Sequence, residues 1–169
     1  PFNQMMDFPV TLSLRSTDQG PRLFAWPVQE IESLYTSTQE MAEIALAAEA
    51  QAVSAVDSEL LDLSLIINPG DAKEIVLTVH GLHIGYDVAK QELHCNNKVA
   101  PLAIVNGEIE LRLLVDRASI EIFGNHGRMY MPMAHVNESE DRTVALSATG
   151  GAAVVRRVSA HALKSIWGK

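Results

Sequence analysis

Apolar and polar residues alternate with a period of two in one segment after another of this chain. Phe8, Val10, Leu12 and Leu14 alternate with Pro9, Thr11, Ser13 and Arg15, the pattern of a strand with one buried face. Thr17-Asp18-Gln19-Gly20-Pro21 is a turn cluster, and Leu23 to Trp26 reads as the returning strand. Residues 1–26 therefore predict one β-hairpin, and Pro27 to Leu34 a connector. Leu61, Leu63, Leu65 and Ile67 alternate up to the turn Asn68-Pro69-Gly70-Asp71, and Ile75, Leu77 and Val79 alternate after it, followed by Gly81. Ile109, Leu111, Leu113 and Val115 alternate, Asp116-Arg117-Ala118 turns into Ile120 to Phe123, and Gly124-Asn125-His126-Gly127 turns again into Met129 to Met133. Thr143 to Ala148 and Val154 to Trp167 complete the set. Short strands with turns roughly every 8–12 residues predict an all-β chain: an antiparallel two-sheet β-sandwich preceded by a hairpin.

One stretch breaks the pattern. Gln39 to Ala50 is rich in Ala and Glu, the strongest helix formers, and read by itself it predicts a helix.

Composition narrows the class further. The 169 residues are 47% hydrophobic and 20% charged, which excludes a disordered chain. Thirteen basic against 21 acidic residues give a net charge of −8. With no basic patch, nucleic acid and anionic membrane are not expected partners. No apolar run approaches the about 20 residues needed to cross a bilayer. The single cysteine, Cys95, rules out an internal disulfide, which fits the cytosol and equally a bacterial secreted enzyme.

Few residues carry recognisable chemistry. His80 and His83 form an H-x-x-H with His94-Cys95 nearby, but positions i and i+3 of a strand face opposite ways, so no metal site and no cofactor are expected. Cys95 has no local His or Asn arrangement that would make it a catalytic thiol. The nine aromatics fit core positions on strands, with Tyr86 and Tyr130 as candidate sugar-stacking platforms. Met5, Met6, Met129, Met131 and Met133 read as packing filler. Asn137-Glu138-Ser139 fits a glycosylation sequon, relevant only in a eukaryotic secretory host. The more informative trio is Asp116, Arg117 and Glu121. Its plain reading is hairpin chemistry, Asp116 starting the turn and Arg117 pairing locally. Its functional reading is sugar contact, because carboxylates and a guanidinium hydrogen-bond vicinal hydroxyls.

Several stretches together resemble one family. Pro1-Phe2-Asn3-Gln4-Met5-Met6-Asp7-Phe8-Pro9 with Leu12-Ser13-Leu14-Arg15 resembles the last propeller blade of glycoside hydrolase family 32, which contains invertases, levanases and inulinases. Pro27 to Leu34 is similar to the link between propeller and C-terminal sandwich, and Gly85-Tyr86-Asp87 resembles a family strand. Leu111 to Arg128, with Leu113-Leu114-Val115-Asp116-Arg117-Ala118-Ser119-Ile120-Glu121 at its centre, resembles the signature hairpin of the C-terminal domain. Leu163 to Trp167 is similar to the family's C-terminal end.

The resemblance implies a hairpin left over from a five-bladed propeller, with linker, over 1–35, and a C-terminal β-sandwich over 36–169. It also implies strand and loop, rather than helix, around 36–56. In the family the catalytic carboxylates lie on the propeller. Here there is no Asn-Asp-Pro-Asn, Arg-Asp-Pro or Glu-Cys motif, so no catalytic residue carries over and the chain is expected to be inactive. A retaining mechanism needs two carboxylates about 5–5.5 Å apart. The implied role is a non-catalytic module of a fructan- or sucrose-hydrolysing enzyme, bracing the catalytic propeller or mediating oligomer contacts. The alternative is a stand-alone fructan-binding module, since family 66 carbohydrate-binding modules have a similar sandwich. Asp116, Arg117 and Glu121 are then the residues expected to meet fructan or fructose. What precedes Pro1 is expected to be the catalytic part, and a secreted or periplasmic bacterial setting is favoured over the cytoplasm. The apolar face of the hairpin predicts that it folds back onto the sandwich, pairs with a second copy or stays bound to a separate propeller chain, with self-association through 1–26 the favoured outcome and a retained propeller next.

Overall fold

The computed structural model describes residues 6–137 and 141–166. Strands β1 (Val10–Thr17) and β2 (Gly20–Pro27) form a two-stranded hairpin, and a 3-10 turn over Gln29–Leu34 leads out of it. Twelve further strands follow: β3 (Tyr35–Leu46), β4 (Gln51–Ser54), β5 (Leu61–Asn68), β6 (Glu74–Val79), β7 (Leu82–Asp87), β8 (Glu92–Cys95), β9 (Lys98–Pro101), β10 (Ile109–Val115), β11 (Ser119–Gly124), β12 (Met129–Ala134), β13 (Val144–Thr149) and β14 (Ala153–Leu163). They make two antiparallel sheets, ordered β12-β11-β10-β5-β14-β3 and β4-β13-β6-β7-β8-β9.

The alternation read from sequence becomes the core. Leu61, Leu63, Leu65 and Ile67 of β5 and Leu111, Leu113 and Val115 of β10 face Ile75, Leu77, Val79, Ile84 and Leu146 of the other sheet, all 2% exposed or less. Met129, Met131 and Met133 are buried with them, while Met6 is 89% exposed. Met5, with Phe2 and Trp167, lies outside the described residues. Tyr86 is sealed in the core with its hydroxyl donating to the Leu102 carbonyl at 2.9 Å, so it cannot serve as a stacking platform. Burial pushes its phenol up to about 12.

The helix suggested by the Ala-Glu stretch does not form. Tyr35–Leu46 is the edge strand β3, paired antiparallel with β14 from Tyr35↔Leu163 to Leu46↔Ala153. The pairing skips Glu43 and Arg156. Glu43 sits in the left-handed region at φ 54, and its carboxylate meets the Arg156 guanidinium at 2.8 Å. This irregularity shifts the phase of the strand. Met41 lies against the core before it and Ile44 and Leu46 after it, so the spacing of the inward residues is two, broken by one of three. No period-two signal survives that break, and the local preference for helix yields to the pairing with β14.

The outer face of the first sheet is covered as well. Leu114 of β10, Phe123 of β11 and Leu163 of β14 form a second apolar cluster with Ile31 of the 3-10 turn and with Phe8 and Trp26 of the hairpin. The hairpin thus folds back on the sandwich. Its covered face carries Phe24, 8% exposed, and Trp26, whose ring meets Phe123 edge-on at 6.1 Å. Its other face carries Leu12, Leu14 and Leu23, which are 59%, 74% and 59% exposed. Leu14 lies opposite Leu23, and Leu12 opposite Ala25, so these side chains share one face.

Candidate functional site

Asp116 and Arg117 occupy the turn joining β10 to β11. The Asp116 N–H donates to the Ser119 carbonyl at 2.8 Å, and its carboxylate accepts the Arg117 N–H at 2.7 Å. The Arg117 Nε donates to Glu59 at 3.0 Å, with both side chains about half exposed. Such a pair contributes at most about 1 kcal/mol.

Glu121 is elsewhere. It sits on the outer face of β11 with no exposed surface, and its two oxygens accept the Phe8 backbone N–H and the Tyr130 hydroxyl, each at 2.7 Å. Burial raises its pKa above the ordinary carboxylate value, against the lowering by those two donors. The sequence grouping of Asp116, Arg117 and Glu121 as one sugar-contacting trio is corrected here: Glu121 is sealed beneath the N-terminal segment and fastens Phe8 to the sheet. Tyr130, the other proposed platform, stacks on Phe123 at 4.8 Å and is held by Glu121.

A second buried polar group has the same fastening role and was not singled out by sequence. Arg112, 9% exposed, makes a two-pronged pair with Asp62, 0% exposed, through Nε to Oδ1 at 3.0 Å and Nη2 to Oδ2 at 2.7 Å. The Tyr35 hydroxyl donates to the same carboxylate at 2.7 Å, and the Trp26 ring lies 5.5 Å from the guanidinium. Burial works against the charge on Arg112, and the Asp62 carboxylate more than restores it. Burial, followed by the bond to Asp62, pushes the Tyr35 phenol up. Four segments therefore meet at one ion pair: hairpin, β3, β5 and β10. The available signal was a charge of each sign at an outward position of two apolar strands, Leu61-Asp62-Leu63 and Leu111-Arg112-Leu113, since a charge inside a covered sheet needs an opposite partner.

Asp116 and Arg117 border two hollows. One is a cleft of about 550 Å³ between hairpin, connector and sandwich, with Phe8, Val28, Ile31, Leu34, Leu60 and Leu163 as its apolar lining. The other is a smaller polar hollow at the end of the sandwich, where Asp116 and Arg117 stand with Glu59, His80, Asn137 and Arg142. The histidines read from sequence are dispersed. His80 is in the β6–β7 turn, His83 on β7 meets Thr78 at 2.9 Å, and His94 on β8 lies 3.8 Å from Glu92. Cys95 is buried, and burial pushes its thiol up. Among the described residues no group of three or more His, Cys, Asp or Glu is placed to hold a metal ion.

Comparison with known proteins agrees with this architecture. The chain is 25% identical to a levanase of Bacillus subtilis (strain 168) over 192 aligned residues, covering 99% of this chain and 28% of the levanase. A levanase of Bacillus sp. (strain L7) is 37% identical over 68 residues, covering 40% of this chain and 7% of that protein. The chain thus spans well under half the length of these relatives. Among solved structures, exo-inulinase from Aspergillus awamori superposes with a TM-score of 0.77 at 18% identity, over 95% of this chain and 36% of that one. Fructan 1-exohydrolase IIa from Cichorium intybus gives 0.67 at 15% identity, over 91% of this chain and 40% of that one. Residues 30–162 match the family described as glycosyl hydrolases family 32 C terminal, and the chain belongs to that family.

Proposed function

We propose that this chain is the non-catalytic C-terminal part of a fructan- or sucrose-hydrolysing enzyme and that it braces a catalytic propeller. The observation that carries this reading is the two-faced hairpin. One face is fastened to the sandwich by Phe24, Trp26, the Glu121–Phe8 bond and the bond from the Ala25 N–H to the Gly127 carbonyl at 3.0 Å. The other exposes Leu12, Leu14 and Leu23 on a sheet of two strands. An isolated two-stranded hairpin is marginal in water, and an apolar face with open strand edges seeks a partner. A propeller blade completed by β1 and β2 covers that face and continues those edges. The fastening then fixes the angle between blade and sandwich, which is what a brace requires. Covering the face with a second copy, through residues 1–26, is the state adopted by the chain alone.

Sedimentation separates these states. The chain alone is expected to self-associate as concentration rises. Adding a family 32 propeller that ends ahead of the segment corresponding to Phe8 is expected to replace the self-association by a one-to-one complex. Leu14→Lys with Leu23→Lys is expected to abolish both. A monomer at all concentrations that ignores the propeller contradicts the proposal.

A further inference from the structure

The polar hollow at the end of the sandwich contains a group that the fold leaves incomplete. His80 is 3% exposed, and among the described residues its Nε2 is the buried side-chain nitrogen or oxygen with no hydrogen-bond partner. A buried polar atom left without a partner is costly, so a ligand that supplies the missing bond is favoured. The position is held from several directions. His80 and Gly81 form the two-residue turn between β6 and β7, with φ of 48° and 80°, as the tight hairpin turn requires. The His80 N–H donates to the Thr143 carbonyl at 3.1 Å, and its own carbonyl lies 2.8 Å from the His135 Nε2. These bonds fix the backbone of the turn, and the ring itself is packed out of solvent.

His80 lines a hollow of about 220 Å³ with Glu59, Asp116, Arg117, Asn137 and Arg142. That is below the roughly 300–1,000 Å³ of sites for drug-sized ligands and suits one small polar molecule. Among its described lining residues the charges cancel, Glu59 and Asp116 against Arg117 and Arg142. Arg117 faces Glu59 at 3.0 Å, and Arg142 pairs at 3.2 Å with Asp57, which does not line the hollow. An anion entering here meets two carboxylates beside the two guanidiniums, and a cation meets both guanidiniums. Burial, with the Arg142 charge next, holds the His80 pKa below its ordinary value, so the imidazole is neutral at pH 7 and its Nε2 is either an acceptor or a donor. A hydroxyl satisfies both cases, whereas a phosphate oxygen only accepts and an ammonium only donates. Among the described residues, none of the hydrogen bonds made by Arg117 uses its Nη groups, which leaves a planar fork suited to adjacent oxygens.

We infer that this hollow is a binding site for the vicinal hydroxyls of a single neutral sugar unit, with His80 and Arg117 as its main contacts. It keeps Asp116 and Arg117 from the sequence-derived trio and replaces Glu121 by His80. Among the described residues no aromatic ring lines it, so stacking adds nothing and the affinity is low, with a Kd on the order of 1–10 mM. Fructose as the first probe rests on the proposed function; the hydroxyl chemistry does not.

The test follows the His80 imidazole nitrogens of the full chain by NMR during titration with D-fructose, D-glucose and inorganic phosphate. The expected result is a saturable shift of Nε2 with D-fructose in the millimolar range, at least tenfold weaker in Arg117→Ala and lost in His80→Asn, and untouched by phosphate. Asn tolerates the left-handed backbone at position 80, and Arg117 is half exposed, so both variants are expected to melt with the parent. Saturation by D-glucose alone supports the hydroxyl site and removes the preference for fructose. Absence of a saturable shift with either sugar, an Arg117→Ala affinity within twofold of the parent, or displacement of sugar by phosphate overturns the inference. None of these outcomes bears on the hairpin and its propeller, which sedimentation tests separately.

Discussion

Glu121 and Asp62 show how much of this chain's specificity sits on charges in a covered sheet. Glu121, removed from water and given two hydrogen-bond donors, still holds its proton to higher pH than in the unfolded chain, because burial outweighs the donors. The sign follows from linkage. The folded state binds the extra proton between the ordinary value of 4.5 and the raised folded value, so stability present below that window is lost as pH rises through it. Urea melts of the parent and Glu121→Gln from pH 4.5 upward are expected to show the parent losing stability relative to the variant. An unchanged difference across the series counts against the buried-carboxylate account. For Asp62 the expectation is larger. Asp62→Ala leaves Arg112 charged and buried, a change that typically costs about 3–5 kcal/mol, whereas Asp62→Leu with Arg112→Met removes both charges and is expected to recover most of the loss. A double variant no more stable than Asp62→Ala would show that the pair is worth more than a packed apolar replacement. In sequence the charges stood out on apolar strands, but what each of them meets did not. Asp62 and Arg112 lie fifty positions apart, and nothing in Leu-Leu-Val-Asp-Arg-Ala-Ser-Ile-Glu tells a covered Glu121 from an exposed one, because what covers it is Phe8, 113 positions away.

At the scale of elements, legibility followed periodicity. β5, β6, β10, β11 and β12 each send every second residue into the core, and each was readable from the residues. β3 was not, because its alternation breaks at Glu43 and its Ala and Glu residues favour helix when isolated. The short pair β8 and β9, joined at Asn96-Asn97, offers four residues per strand, too few for a period to emerge. The joint between hairpin and sandwich depends on one turn residue, Gly127. It has φ of 87°, and a Cβ there would stand 2.1 Å from the Ala25 carbonyl oxygen. Gly127→Ala must therefore push β2 off the β11–β12 loop or break the loop itself. Hydrogen exchange is expected to quicken at the Ala25 amide and along β2, with little change at β5 and β10. Equal protection of the Ala25 amide in parent and variant would show that this contact does not hold the hairpin.

The whole molecule is a sandwich with an appendage turned two ways, one face buried on its own sheet and the other displaying leucines. The class of fold came from alternation, whereas the fate of the hairpin did not, since Leu12 and Leu14 show only that a face is apolar and not which neighbour covers it. The covered face is set by Phe24 and Trp26, which alternate on β2 and find Phe123 through the tertiary fold. The proposed function makes the chain a module that positions chemistry done elsewhere, and so expects no pair of its carboxylates to attack and protonate a glycosidic bond. The most direct test of that claim is fructose release from sucrose, inulin and levan by the purified 169-residue chain. The account predicts release equal to buffer alone with each substrate. Release above buffer that persists through repurification would contradict it and place a catalytic site within this chain.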